Sequence, residues 1–214
     1  MVADKPLENI LAEYDSVFKG IGCLPGEYDI ETDESITPVQ VRPRKIPLSM
    51  KEEVKTKLDT LTKQCIIEHV ESPTPWISHL QPISRSTVNL DNLHRRSILR
   101  LSFLADRMSS LTQGAAGRIA SHLVFNEYQM PDIDDVLPQL AEAKMFSLCD
   151  ATDGFLQVKL SDKSSHLTTF WTPYDRYKWK RMPFGIPTAP EEFQRRLSSA
   201  LKGLKGVSVV QTTY

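Results

Sequence analysis

The chain opens with an apolar stripe. Leu7, Ile10, Leu11, Tyr14, Val17 and Phe18 fall three and four apart, which predicts an amphipathic helix over 6–19. Residues 20–48 lose that period and are rich in Gly and Pro, a lead-in that lies on something rather than packing by itself. A second helix is expected from Ser49, with Glu52 at the capping-box spacing and Met50, Val54, Leu58 and Leu61 as its apolar face. Ile66–Val70 reads as a short strand, and ESPTPW (71–76) as a stiff turn. Farther along, Asp132 or Asp134 starts a helix through about Ala143. Four apolar segments then predict strands: 145–151, 155–160, 167–172 and 176–182, with Gly154 and Asp175 at turns. A helix is expected from Pro190 to about Leu204, and a last strand over Gly206–Val210. No segment repeats. The order of elements predicts an α+β fold with a mostly antiparallel sheet.

Composition narrows the function classes. The 214 residues suffice for one large or two small domains. With 26 basic and 27 acidic residues, the net charge of −1 excludes a generally basic nucleic-acid coat, so any such contact is local. No apolar run is long enough to span a membrane, and the start MVADKPLENI has no signal-peptide pattern, so an intracellular protein, cytoplasmic or nuclear, is expected. Cys23, Cys65 and Cys149 have no paired spacing, which fits reduced thiols rather than a disulfide framework or a zinc site. The five histidines are scattered, and neither a Walker loop nor a dinucleotide fingerprint nor a nucleophile elbow is present.

Residues 84–124 differ from the rest. They hold six of the twelve arginines and none of the fourteen lysines, and six arginines against two aspartates leave about +4. An insertion, a splice change or a frameshifted stretch would each leave such an island.

Two clusters could carry chemistry. Asp150 ends an apolar segment, with Asp153-Gly154-Phe155 just after it. A carboxylate there suits a divalent metal, or an Asx turn that closes a hairpin. An EF-hand is excluded, because the first, third and twelfth ligand places would be Cys149, Ala151 and Leu160. The second cluster is KRMPFGIPTAPEEFQRRL (180–197), a Pro-Phe-Gly turn that leads into a helix.

In combination, four segments resemble the reverse transcriptase of gypsy-type long-terminal-repeat retrotransposons and, more distantly, of retroviruses. They are GCLPGEYDIETD (22–33), PRKIPLSMKEEVKTKLDTLTKQCIIEHVESPTPWISHL (43–80), YQMPDIDDVLPQLAEAKMFSLCDATDGFLQVKL (128–160) and LTTFWTPYDRYKWKRMPFGIPTAPEEFQRRLSSALKGLKGV (167–207). Their order and spacing carry the resemblance; no single motif does.

The resemblance implies a right-hand polymerase fold: a lead-in over 1–45, a fingers-like segment over 46–130 and a partial palm over 131–214, with the thumb absent. It implies addition of deoxynucleotides to a primer 3′ end, with Mg2+ or Mn2+ held by three carboxylates. Its partners would be a primer–template duplex and deoxynucleoside triphosphates, with no membrane involved. Asp150 matches the first carboxylate and a metal ligand. Phe155 matches the aromatic gate that favours deoxynucleotides, and Pro183, Phe184 and Gly185 match the turn that lines the nucleotide.

Two departures follow. Where the family carries an X-X-Asp-Asp turn, this chain reads Val210-Gln211-Thr212-Thr213, so neutral side chains stand in for two carboxylates. Across 84–124 the family's basic triphosphate-gripping hairpin is not legible. The expected reading is a truncated, degenerate fragment of a retrotransposon polyprotein without polymerase activity. The alternative is a non-catalytic module that binds nucleic acid, or a partner polymerase, through the island (Arg95, Arg96, Arg100) and the strand 176–181. An active enzyme with another metal geometry is the third reading.

Overall fold

The computed structural model describes residues 19–80 (except 33, 34, 36 and 44) and 151–210, with isolated positions between 9 and 15 and between 136 and 149. The island 84–124 and most of the first predicted helix lie outside the described residues, although Asn9, Ala12 and Glu13 are helical.

Helix α1 (Lys51–Lys63) buries Val54, Leu58 and Leu61, the stripe that its period predicts. Each such side chain contributes about 1.5–3 kcal/mol when fully removed from water. Its start differs from the predicted capping box. Leu48–Met50 forms a 3-10 turn that Met50 N–H closes onto Pro47 O, so Ser49 lies inside helical backbone and caps nothing. At the other end Cys65 takes the left-handed conformation (φ 55), and Ile66 N–H returns to Leu61 O, a glycine-like helix stop.

The main sheet has four strands in the order β2 (Ile67–His69), β6 (Arg176–Trp179), β5 (Phe170–Trp171) and β3 (Ser78–His79). The pairs β2–β6 and β6–β5 are antiparallel, and β5–β3 is parallel. The sheet is therefore mostly antiparallel, as expected, with one parallel pair, in an α+β fold. The β5–β6 turn closes at Asp175 as its sequence predicts. Thr172 Oγ1 accepts from the Tyr174 and Asp175 amides, and Thr172 N–H donates to Asp175 O.

A second, two-stranded parallel sheet joins β1 (Glu27–Tyr28) to β4 (Lys159–Leu160). The expected strand 155–160 is mostly something else. Asp153 is left-handed (φ 51, ψ 43), a 3-10 turn follows over Gly154–Gln157, and the strand is confined to Lys159–Leu160. Leu156, Val158 and Leu160 are nevertheless buried in the core.

Helix α2 (Asp162–Leu167) replaces the first residue of the expected strand 167–172. Ser161 caps it by accepting from Ser164 N–H, with Asp162 in its first turn. Helix α3 (Ala189–Ala200) begins with a proline in its first turn, as expected, and ends four residues short of Leu204. The expected strand 206–210 does not form. Gly203 and Gly206 adopt positive φ and turn the chain, and Val209 O accepts from the Gln194 amide instead of a ladder partner.

Of the expected helix over 132–143, Val136 is helical and buried, and most of the span lies outside the described residues. Met145, Ser147, Cys149 and Ala151 belong to no strand and are exposed, Met145 to 89%. The extended segment predicted over 145–151 thus has no ladder at its described positions. One core cluster runs through α1, both sheets and the start of α3, with Phe170, Val158 and Met182 at its centre.

Candidate functional site

The sequence-predicted nucleotide-lining residues converge. Phe155 comes from the 3-10 turn after Asp153, and Phe184 from the Pro183-Phe184-Gly185 turn before α3. Their ring centroids stand 4.8 Å apart at 52°. Pro183 is buried, Phe184 is half-buried, and Gly185 is exposed with φ 88, a conformation that glycine adopts without cost.

The pair has a third member that the sequence reading did not single out. Phe193, from α3, meets Phe155 edge-to-face at 5.9 Å. It also fills the space over Gly154, where an added Cβ would lie 2.8 Å from Phe193 Cζ. The small residue and the helix period were both legible in the sequence, but the approach of one to the other was not.

The lead-in holds these pieces from below. Leu24 N–H donates to Gln157 O at 2.9 Å. Arg181 bridges Gly22 O and Leu156 O at 3.2 and 3.3 Å. Tyr28 O–H donates to Thr188 Oγ1 at 2.9 Å, just after the Phe184 turn, and burial pushes the Tyr28 phenol up. Ile30 N–H donates to Ser164 Oγ at 2.8 Å.

The lead-in is in turn gripped by Arg196. This buried guanidinium donates to the carbonyls of Pro25, Gly26 and Glu27 at 2.6, 2.8 and 2.8 Å, and to the Glu192 carboxylate. Arg195 takes the same carboxylate with two bonds of 2.8 Å. Burial works to raise the Glu192 carboxyl, but the bonds from Arg195 and Arg196 outweigh it and hold it below the usual range.

Asp150, Thr212 and Thr213 lie outside the described residues. Asp153 does not form the Asx turn that would close a hairpin, since its side chain caps nothing and a 3-10 turn follows it. Burial raises its carboxyl, with Lys57 opposing. Among the described residues no group of three or more His, Cys, Asp or Glu could hold a metal ion.

Of the cations of 176–181, Lys178 is buried, Arg176 and Arg181 are half-buried, and Lys180 is exposed. Arg176 lies over the Trp171 ring at 5.4 Å and donates to Glu71 O. Lys178 is buried on Asp162 at 2.7 Å and beside His166 at 3.1 Å, and its bond is the main cause of a lowered Asp162 carboxyl. Among the described histidines, His69 pairs with Asp175 at 2.5 Å, and that bond lowers the aspartate. The three cysteines are free and exposed. Among the described residues no helix is long and apolar enough to cross a membrane.

Comparison with known proteins places this geometry. The profile of a family described as "Reverse transcriptase (RNA-dependent DNA polymerase)" matches residues 70–214. The chain is 30% identical over 207 residues, 93% of its length, to the retrovirus-related Pol polyprotein from transposon 412 of Drosophila melanogaster, and spans 15% of it. It is 29% identical over 173 residues, 81% of its length, to the enzymatic polyprotein of cauliflower mosaic virus (strain Strasbourg), and spans 23% of that protein. In fold it is similar to the foamy viral protease-reverse transcriptase in complex with RNA/DNA hybrid. The TM-score is 0.64 at 16% identity, over 97% of this chain and 26% of that one. A dsDNA complex of the foamy viral enzyme gives the same TM-score at 17% identity, over 97% of this chain and 35% of that one. The sheet, α2, α3 and the turns that carry Phe155 and Phe184 are thus part of a reverse transcriptase fold.

Proposed function

The chain belongs to the reverse transcriptase family, and on that footing we propose that it is a retrotransposon reverse-transcriptase segment that keeps the nucleotide-lining face but does not join nucleotides. The lining is the Phe155–Phe184 pair: Phe155 would crowd a ribose 2′-hydroxyl, and the Pro183–Gly185 turn would lie along the base and template. Partners of this class would be a primer–template duplex and deoxynucleoside triphosphates.

One observation carries the loss of activity. Two threonines, Thr212 and Thr213, occupy the places of carboxylates in a site that needs three. The metal pair of the family, Mg2+ or Mn2+, does not fit this donor set. Asp150 offers one negative charge, and hydroxyls are poor ligands for a second hard dication. Charge lost at a phosphoryl-transfer centre typically costs orders of magnitude in rate.

Primer extension with Mg2+ or Mn2+ tests the reading. No extension is expected; extension that Asp150→Ala abolishes would overturn it. The double change Thr212→Asp with Thr213→Asp is expected to leave extension absent, since the family's triphosphate-gripping hairpin has no counterpart in 84–124. Recovery by those two changes alone would show that the island is not the obstacle. Duplex binding that weakens steeply with salt, without extension, would favour a non-catalytic binding module.

A further inference from the structure

The lead-in is tied to both halves of the aromatic pair, alongside the bonds of Met182 N–H to Val158 O and Leu160 N–H to Lys180 O and the Phe155–Phe193 contact. It reaches the Phe155 turn through Leu24 N–H on Gln157 O and through Arg181, which bridges Gly22 O and Leu156 O. It reaches the Phe184 side through Tyr28 on Thr188. Between those ties, at 25–27, it makes three bonds to a single guanidinium. Arg196 stands 170 positions after Gly26 in the chain and is 8% exposed, so a buried guanidinium makes a long-range grip.

We propose that Arg196 is a positioning residue for the Phe155–Phe184 pair, acting through the lead-in. Glu192 fixes the Nε edge of the guanidinium, which leaves both Nη groups aimed at the three carbonyls. Gly26 makes the approach possible. Its φ is +80, and a Cβ there would lie 3.3 Å from Arg196 Nη1. A planar fork with several fixed donors suits three adjacent carbonyls, whereas an ammonium serves them as a point charge only. When the fork is lost, the lead-in slackens between its two ties and the Phe155 ring shifts against Phe184, while Met182 N–H on Val158 O and Leu160 N–H on Lys180 O keep the two segments joined. The inference rests on the proposed nucleotide-lining role of the pair, but its geometry can be read without nucleotide.

The test places a fluorine on the Phe155 ring and follows its resonance in the full chain. Arg196→Lys keeps the charge opposite Glu192. It is expected to move or broaden the Phe155 signal and to speed protease cleavage within 22–28 about tenfold, as local opening allows. Ile77→Ala truncates a core side chain in the segment leading into β3 and is expected to lower stability without moving the signal. Gly26→Ala attacks the same contact from the lead-in side and stands in should Arg196→Lys fail to fold; it is expected to shift the signal in the same way. A Phe155 resonance unchanged in these variants, or one moved as far by Ile77→Ala, would overturn the proposal. Titration with dTTP and Mg2+ separates the two readings. A silent titration refutes the nucleotide-lining role of Phe155, while the effect of Arg196 on the ring stands or falls on the variants alone.

Discussion

Gly154→Ala probes the contact on which the aromatic cluster is built. The alanine Cβ would meet Phe193 Cζ at 2.8 Å and the two Cε atoms at 3.1 and 3.2 Å. Comfortable carbon–carbon contact begins near about 3.5 Å, so the ring must retreat by about 0.7 Å or rotate. Rotation breaks the edge-to-face contact with Phe155. Overpacking of this kind costs about 1–3 kcal/mol. Replacing glycine returns about 0.4–1 kcal/mol through the unfolded chain. The expected net loss is about 1–2 kcal/mol, or about 2–8 °C in Tm for a chain of this size. Thermal and urea melts of the wild type, Gly154→Ala, Phe193→Leu and the double variant form a closed cycle. Leucine lacks the three ring atoms that clash, so in the Phe193→Leu background the alanine is expected to cost nothing. A Gly154→Ala protein as stable as wild type, or a cost that Phe193→Leu leaves intact, would refute the reasoning.

The other expectations concern charge. Asp153 has a raised carboxyl because of burial, so the native state holds its proton more tightly than the unfolded chain, and its contribution to stability falls as pH rises through that value. Asp153→Asn, which also tolerates the left-handed backbone, should raise Tm at neutral pH and lose that advantage in acid; an equal gain at both would contradict the burial argument. Glu192, Asp162 and Asp175 have the opposite sign. Their lowered carboxyls add stability above the ordinary value, and it drains away as pH falls through the folded one. Tm should therefore drop steeply below about pH 4.5, the ordinary glutamate value, and Glu192→Gln should flatten that drop. Asp162→Asn should cost about 1 kcal/mol by urea melt, a modest figure because the aspartate is exposed although Lys178 is not.

What the sequence made legible was the part set by local period. The face of α1, the Asp175 turn and the start of α3 all followed from local signals. What it hid was set by contacts between distant segments. The 3-10 turn at 154–157 looks like a strand until Phe193 is known to lie over Gly154. Helix α2 is only six residues long, too short to show a period, and Ser161 with Asp162 was its one signal. The parallel pairs of β1 and β3 have no local signature at all. Of the candidate site, Phe155 and Phe184 lie against each other, and their nucleotide-lining role stands as proposed. The grip of Arg196 on 25–27 had no signal beyond an i,i+4 Glu–Arg pair, which most often decorates a solvated helix face.

The pairing of β2 with β6 bears on how the chain is made. Ile67 lies opposite Trp179, a residue synthesised 112 positions later. At about 5–20 residues per second on the ribosome, α1 and β2 emerge roughly 5–20 seconds before the strand that completes them. During that interval Ile66 and Ile67, both almost fully buried in the finished fold, have no native cover. Synthesis therefore leaves the β2 edge that faces β6 unpaired until residue 180 has emerged.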